Sequence, residues 1–136
     1  MRLDDCSTQR NLTDEGRRHA RQAGEALRAR GVPVDRVVAS PWCRCVETAR
    51  LAFGTAETSP ALGNLYGNSK NSAPQVRAMQ ALIAERRGAG NLILVSHGST
   101  ISALTGEYLD TAEMLVVTPQ DGGRLVSRGR IAAHRP

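Results

Sequence analysis

Aromatic side chains are scarce in these 136 residues, which hold one Trp, two Tyr and one Phe. Aliphatic groups must therefore fill the core, and few rings are left to stack on bases. With no nucleic-acid motif present, nucleic acid is not an expected partner. Lysine is nearly missing as well: Lys70 is the only one, so the net charge of +5 rests on arginine. That balance favours anionic ligands, but the arginines are scattered over what read as solvated helix faces and do not gather into a polyanion surface. No apolar run is long enough to cross a bilayer, and the opening MRLDDCSTQR is polar without a leader pattern. The chain as written is expected to be soluble and cytoplasmic, with no membrane partner. Cysteine is sparse and odd in number, with Cys6, Cys43 and Cys45, which argues against a disulfide scaffold. The C-x-C pair has no C-x-x-C or histidine partner at metal spacing, so no metal is expected. The spacing of these cysteines to Arg10 and Arg50 is also wrong for a cysteine-type phosphatase. All three are read as reduced, packed thiols.

What the chain does contain is one domain's worth of alternating strand and helix patterns. The most informative stretch is NLILVSHGST, Asn91 to Thr100. Leu92 to Val95 form a short apolar run without alternation, as in a strand buried on both faces of a parallel sheet. His97 then falls at the carboxyl end of that strand, where open α/β sheets bind ligands. Ser99 is placed to cap a following helix whose apolar positions are Ile101, Leu104, Tyr108 and Leu109. The turn, including Gly98, would leave free amide N–H groups beside the imidazole, the parts of an anion site.

Along the rest of the chain, Met1 to Asn11 lack periodicity and read as coil. Thr13 looks like an N-cap with Asp14 and Glu15 in the first turn, opening an amphipathic helix with Ala20, Ala23 and Leu27 inward and an end at Gly31 and Pro33. His19 is expected to be a solvated surface residue of that helix. Arg36 to Ala39 is a short strand. Ser40-Pro41 then reads as a helix start, with Val46, Ala49 and Phe53 inward and Gly54 as the stop. Arg44 thus lies in a helix's first turn, against the dipole, a placement that makes sense when an anion is shared between guanidinium and amides. Thr55 to Ser72 reads as a long surface connection, and Pro74 to Arg87 as a second amphipathic helix with Val76, Met79 and Ile83 inward. Glu113 to Thr118 and Arg124 to Ile131 suit the two arms of an antiparallel hairpin, and His134 lies in the tail. The expected architecture is α/β, a three-layer αβα domain over residues 1–136 with a mostly parallel sheet and an antiparallel C-terminal edge hairpin.

Three segments in this order, LTDEGRRHARQAGEAL from Leu12, SPWCRCVETA from Ser40 and LVSHGS from Leu94, resemble the histidine phosphatase (phosphoglycerate mutase-like) superfamily, in its small phosphohistidine-phosphatase type. The resemblance implies a phosphate pocket at the strand ends, no cofactor, an arginine matching Arg44 that clamps phosphoryl oxygens, and a histidine matching His97 that donates to the phosphoryl group. Gly98 belongs to the same phosphate-binding turn. The family's general acid is a variable loop carboxylate, for which Glu57 is the candidate by chain order. One departure is large. The family begins with a strand ending in Arg-His-Gly that carries the nucleophilic histidine, whereas only eleven residues precede Leu12 here and none is His. The expectation is an amino-terminally shortened domain without its first family strand, any export signal lying in the same upstream segment.

The leading reading is thus a phosphomonoesterase-type domain that, as given, binds phosphate with little or no turnover, because Arg44 and His97 lack an attacking atom. The alternative is a noncatalytic phosphate-binding or regulatory module, and a third reading makes His97 a hydrogen-bonded core residue of a structural domain. The expected partner is phosphate or a phosphorylated small molecule. Loss of the first strand should also expose a sheet edge that invites dimerisation.

Overall fold

The computed structural model describes residues 1–86, 88–110 and 113–132, with the backbone alone at residue 69. The first helix, α1 (Asp14–Ala29), opens as its sequence predicts: the Thr13 hydroxyl accepts from the Gly16 N–H, and Asp14 and Glu15 complement the helix dipole. Its buried residues are Ala20, Ala23, Gly24 and Leu27. They lie against α2 (Cys43–Phe53), close enough that the Arg28 guanidinium donates to the Ala52 carbonyl at 2.9 Å.

The strand β1 (Val34–Ala39) lies between β2 (Glu57–Thr58) and β3 (Asn91–Val95), parallel to both, in the order β2-β1-β3. Alternation along β1 and β3 builds two cores. Val37, Ala39, Ile93 and Val95 face Cys45, Ala49 and Phe53 of α2. Val38, Leu92 and Leu94 face the other way, onto Val76, Met79 and Leu82 of α3 (Ser72–Ala84), Leu104 of α4 (Gly98–Thr105) and Leu62. Helices thus cover both faces of the sheet, in the three layers expected. Met79 and Leu62 are each 1% exposed, and burying side chains of that size contributes about 2 kcal/mol apiece. β3 is half-buried and not fully enclosed, because it stands last in the strand order among the described residues. The hairpin of β4 (Glu113–Pro119) and β5 (Leu125–Ala132) is antiparallel as expected and forms its own two-stranded ribbon. No helix among the described residues is long and apolar enough to cross a membrane.

Several local expectations change. The amino-terminal segment is not coil: Cys6–Thr8 form a 3₁₀ turn under an Asp5 cap, and Cys6 is bridged to Cys43 by a disulfide with a Cα–Cα distance of 5.8 Å. Two of the three cysteines are therefore not thiols. Their nearness is tertiary, since the 3₁₀ turn folds back onto the first residue of α2, and sequence spacing carries no trace of it. Cys45 alone is free, and it is packed as expected. Ser40 does not start α2, because its N–H donates to the Val95 carbonyl at 2.8 Å and so continues the ladder of β1; the N-cap falls at Trp42. The buried side of α2 is Cys45, Ala49 and Ala52, with Val46 only half-buried. The cap of α4 is His97 and not Ser99, and the helix stops at Thr105 ahead of a left-handed Gly106, leaving Tyr108 77% exposed. The Thr55 to Ser72 connection contains β2 and two 3₁₀ turns, and it buries Leu62 and Leu65. The helix expected from Pro74 to Arg87 begins at Ser72 and ends at Ala84, with Arg87 outside the described residues. His19 is only partly solvated; its side chain is 18% exposed, with Nε2 lying 3.7 Å from Glu15. His134 lies outside the described residues.

Candidate functional site

The register Ala39↔Val95 between β1 and β3 brings the residues just past the two strands together. Ser40 leaves one strand end and His97 the other, and although separated by 57 positions they meet at 2.7 Å, Oγ to Nε2. The α2 helix leaves from this same end of the sheet, placing Arg44 in its first turn with Nη2 at 3.0 Å from His97 Nδ1. Trp42 closes one side of the imidazole, edge-on with ring centroids 5.1 Å apart. Cys45 Sγ lies 3.7 Å from His97 Nε2. Ser40 is fully buried, and His97 is 6% exposed.

The hydrogen-bond chemistry assigns the protons. Arginine is always charged and can only donate, so Nδ1 of His97 must accept from the Arg44 guanidinium. Nε2 then carries the proton of the neutral ring and donates it to Ser40 Oγ. That oxygen also receives the Trp42 N–H at 3.3 Å. Burial first, and the Arg44 charge second, push the His97 pKa down to about 4, so the ring is neutral at physiological pH. Burial also raises the Cys45 thiol, against the opposing effects of the Arg44 charge and the Ser40 hydroxyl, so this cysteine is a packed thiol and a poor nucleophile.

Of the residues singled out in the sequence, Arg44 and His97 are thus brought into direct contact. Gly98 is the first residue of α4, with open space where a side chain would stand, and its amide and that of Ser99 lie in the first turn, where a helix offers N–H groups without internal acceptors. Glu57 is not gathered in. Its carboxylate is bound by Arg36 through Nε at 2.8 Å and Nη2 at 3.3 Å, at a position facing β1. The Arg36 hydrogen bond lowers its pKa, which makes it a poor proton donor. The sequence does not single out Ser40 and Trp42 as site residues, although both lie within the SPWCRCVETA segment; Ser40-Pro41 reads locally as a helix start. The loop after β2 is also fastened here, by hydrogen bonds from Ser96 Oγ to the Leu62 carbonyl at 2.6 Å, from Thr100 Oγ1 to the Gly63 carbonyl at 2.6 Å and from Ser99 Oγ to Asn64 Oδ1 at 2.9 Å. No group of three or more His, Cys, Asp or Glu side chains among the described residues is placed to hold a metal ion.

Comparison with known proteins follows the same lines. The family model of the histidine phosphatase superfamily (branch 1) matches residues 6–65, a span that includes Ser40 and Arg44 and stops short of His97. No curated protein matches the sequence. Among solved structures, the protein histidine phosphatase SixA complexed with tungstate is similar, with a TM-score of 0.70, 23% identity, and coverage of 91% of this chain and 85% of that one. The product of the open reading frame Rv3214 from Mycobacterium tuberculosis gives a TM-score of 0.73 at 20% identity, over 91% and 86% of the two chains. A phosphoserine phosphatase mutant from Entamoeba histolytica, in complex with phosphoserine, gives 0.69 at 14% identity, over 91% and 85%. These identities establish the shared fold and nothing finer. The family model over residues 6–65, together with the shared fold, supports a small histidine-phosphatase-like protein.

Proposed function

We propose that this chain is a phosphatase-type domain whose strand-end site takes phosphate or the phosphoryl group of a small phosphomonoester. The observation that carries this reading is the Arg44–His97 contact beside two helix N-termini, those of α2 and α4. A guanidinium there has no carboxylate partner among the contacts described, so an oxyanion would receive both its charge and nearby backbone N–H groups. SixA complexed with tungstate, an oxyanion, is consistent with such a site on this fold. In its complete form the family transfers the phosphoryl group to a histidine. Within these residues the other described histidine, His19, lies in α1 against Glu15, so no second imidazole is assigned to attack. We therefore expect binding with little or no turnover of p-nitrophenyl phosphate. Clear hydrolysis abolished by His97→Ala would show that this chain supplies its own nucleophile.

The binding test is thermal or chemical denaturation with inorganic phosphate or tungstate. At a ligand concentration of about 100 times Kd the expected stabilisation is roughly 2.7 kcal/mol. Arg44→Ala should abolish it. An unchanged midpoint at high phosphate in the wild type would remove the reading.

The second reading, a noncatalytic or regulatory phosphate-binding module, is favoured by one observation. Gln9 Oε1 accepts the Cys43 N–H at 2.9 Å, so a side-chain oxygen already sits on a first-turn amide of α2. Phosphate-dependent stabilisation with a complete absence of turnover, as against a low rate lost in Arg44→Ala, would select it over the phosphatase-type reading. As to compartment, the Cys6–Cys43 bridge weighs against the cytoplasmic expectation, because such bonds persist in oxidising surroundings.

A further inference from the structure

The Ser40 hydroxyl is fully buried, yet nothing in the phosphate chemistry outlined above uses it. It lies at one end of a linear chain of hydrogen bonds: Ser40 Oγ at 2.7 Å from His97 Nε2, and His97 Nδ1 at 3.0 Å from Arg44 Nη2. We propose that Ser40 is a positioning residue of the anion site, holding His97 in the Nε2–H tautomer so that the Nδ1 lone pair fixes the Arg44 guanidinium at the N-terminus of α2.

The argument is one of donors and acceptors. With the proton on Nδ1, an imidazole N–H would point at a guanidinium N–H, two donors face to face, and Nε2 would need a proton from Ser40. With the proton on Nε2 every group is matched. Ser40 Oγ accepts from Nε2–H and from the Trp42 N–H, and its own hydrogen is left for the Cys45 sulfur. The Ser40 backbone is itself anchored, since its N–H is bonded to the Val95 carbonyl within the parallel ladder. The ring is further held by the Trp42 edge. Arginine is long and rotamer-rich, and an acceptor that selects one orientation before binding removes part of the entropy cost of ordering it on a ligand.

The inference rests on the proposed phosphate site for its consequence, but not for its geometry, and one set of measurements separates the two. In the unmodified protein, side-chain ¹H–¹⁵N correlation spectra near neutral pH should show His97 with a protonated Nε2 and an unprotonated, acceptor-type Nδ1. Ser40→Ala should mix or reverse this signature and weaken phosphate or tungstate binding by about tenfold, the scale of one lost hydrogen bond. Ser40→Thr, which keeps the hydroxyl, should restore both. A wild-type His97 found with its proton on Nδ1 overturns the inference, and this holds even if neither variant folds. Ser40→Ala with wild-type signature and affinity also overturns it. Wild-type protein with the Nε2–H tautomer but no affinity for phosphate or tungstate overturns the phosphate reading and the affinity consequence with it, while leaving the Ser40–His97 arrangement standing.

Discussion

His97 is held neutral by its surroundings, and this gives it a measurable effect on stability. Its pKa is about 4 in the folded chain against 6.5 for the unperturbed group, with burial as the main cause. Well above pH 6.5 both states carry a neutral ring and His97 contributes no pH dependence. As pH falls from there toward 4, the unfolded chain takes up the proton first and stability is lost, by up to about 3 kcal/mol at the low end. Urea midpoints measured across this window should therefore fall more steeply in the wild type than in His97→Asn. Parallel curves would mean that the ring is not held neutral. The importance of His97 was legible in the sequence from its place between a short apolar strand and a helical pattern. Its partner Ser40 was not recognised, because Ser-Pro is locally a good helix start and only pairing of β1 with β3 diverts it. Glu57 was assigned by order along the chain, and it is the Arg36 side chain across β1 and β2 that takes it elsewhere.

Elements were placed well where amphipathic periodicity was long and their ends were marked, and poorly where tertiary contacts set the ends. α1 follows its cap and its glycine stop. α2 and α4 start elsewhere than expected, since the residues before them are drawn into the site, although α2 does stop at Gly54. The α1–α2 contact depends on Gly24, a residue that in sequence is only an unfavourable helix former. A Cβ built there would run into the Ala52 carbonyl oxygen, which is backbone and already accepts from Arg28. Gly24→Ala should therefore destabilise despite the better helix propensity, by about 1–3 kcal/mol as an overpacking change. Denaturant unfolding checks this, and a stabilised variant would show that α1 and α2 approach less closely than described.

At the scale of the whole molecule, two features lie outside the sheet's own connectivity. The Cys6–Cys43 bridge spans 37 positions and ties the amino-terminal turn to α2. Chain-entropy reasoning gives such a loop about 4 kcal/mol. Thiol titration of protein purified without reductant should find one free sulfhydryl, the buried Cys45, and only after unfolding. Dithiothreitol should lower the denaturation midpoint, whereas three free thiols and no effect of reductant would remove the bridge. The second feature is the edge of β3, which ends the order β2-β1-β3 among the described residues. We propose that a second copy of this chain pairs there, strand to strand about a two-fold axis. Light scattering after size exclusion should then report a dimer, and a monomer at high concentration would refute it. The sequence by itself determined the layered α/β class, the order of the main elements, and the places of His97 at a strand end and Arg44 in a helix's first turn, because apolar periodicity and a few turn residues act locally. Only the tertiary structure decided the disulfide, the true helix starts, the proton placement on His97 and the roles of Ser40 and Gly24. Each of those depends on groups far apart in the chain being brought within a few ångströms by strand register and helix packing.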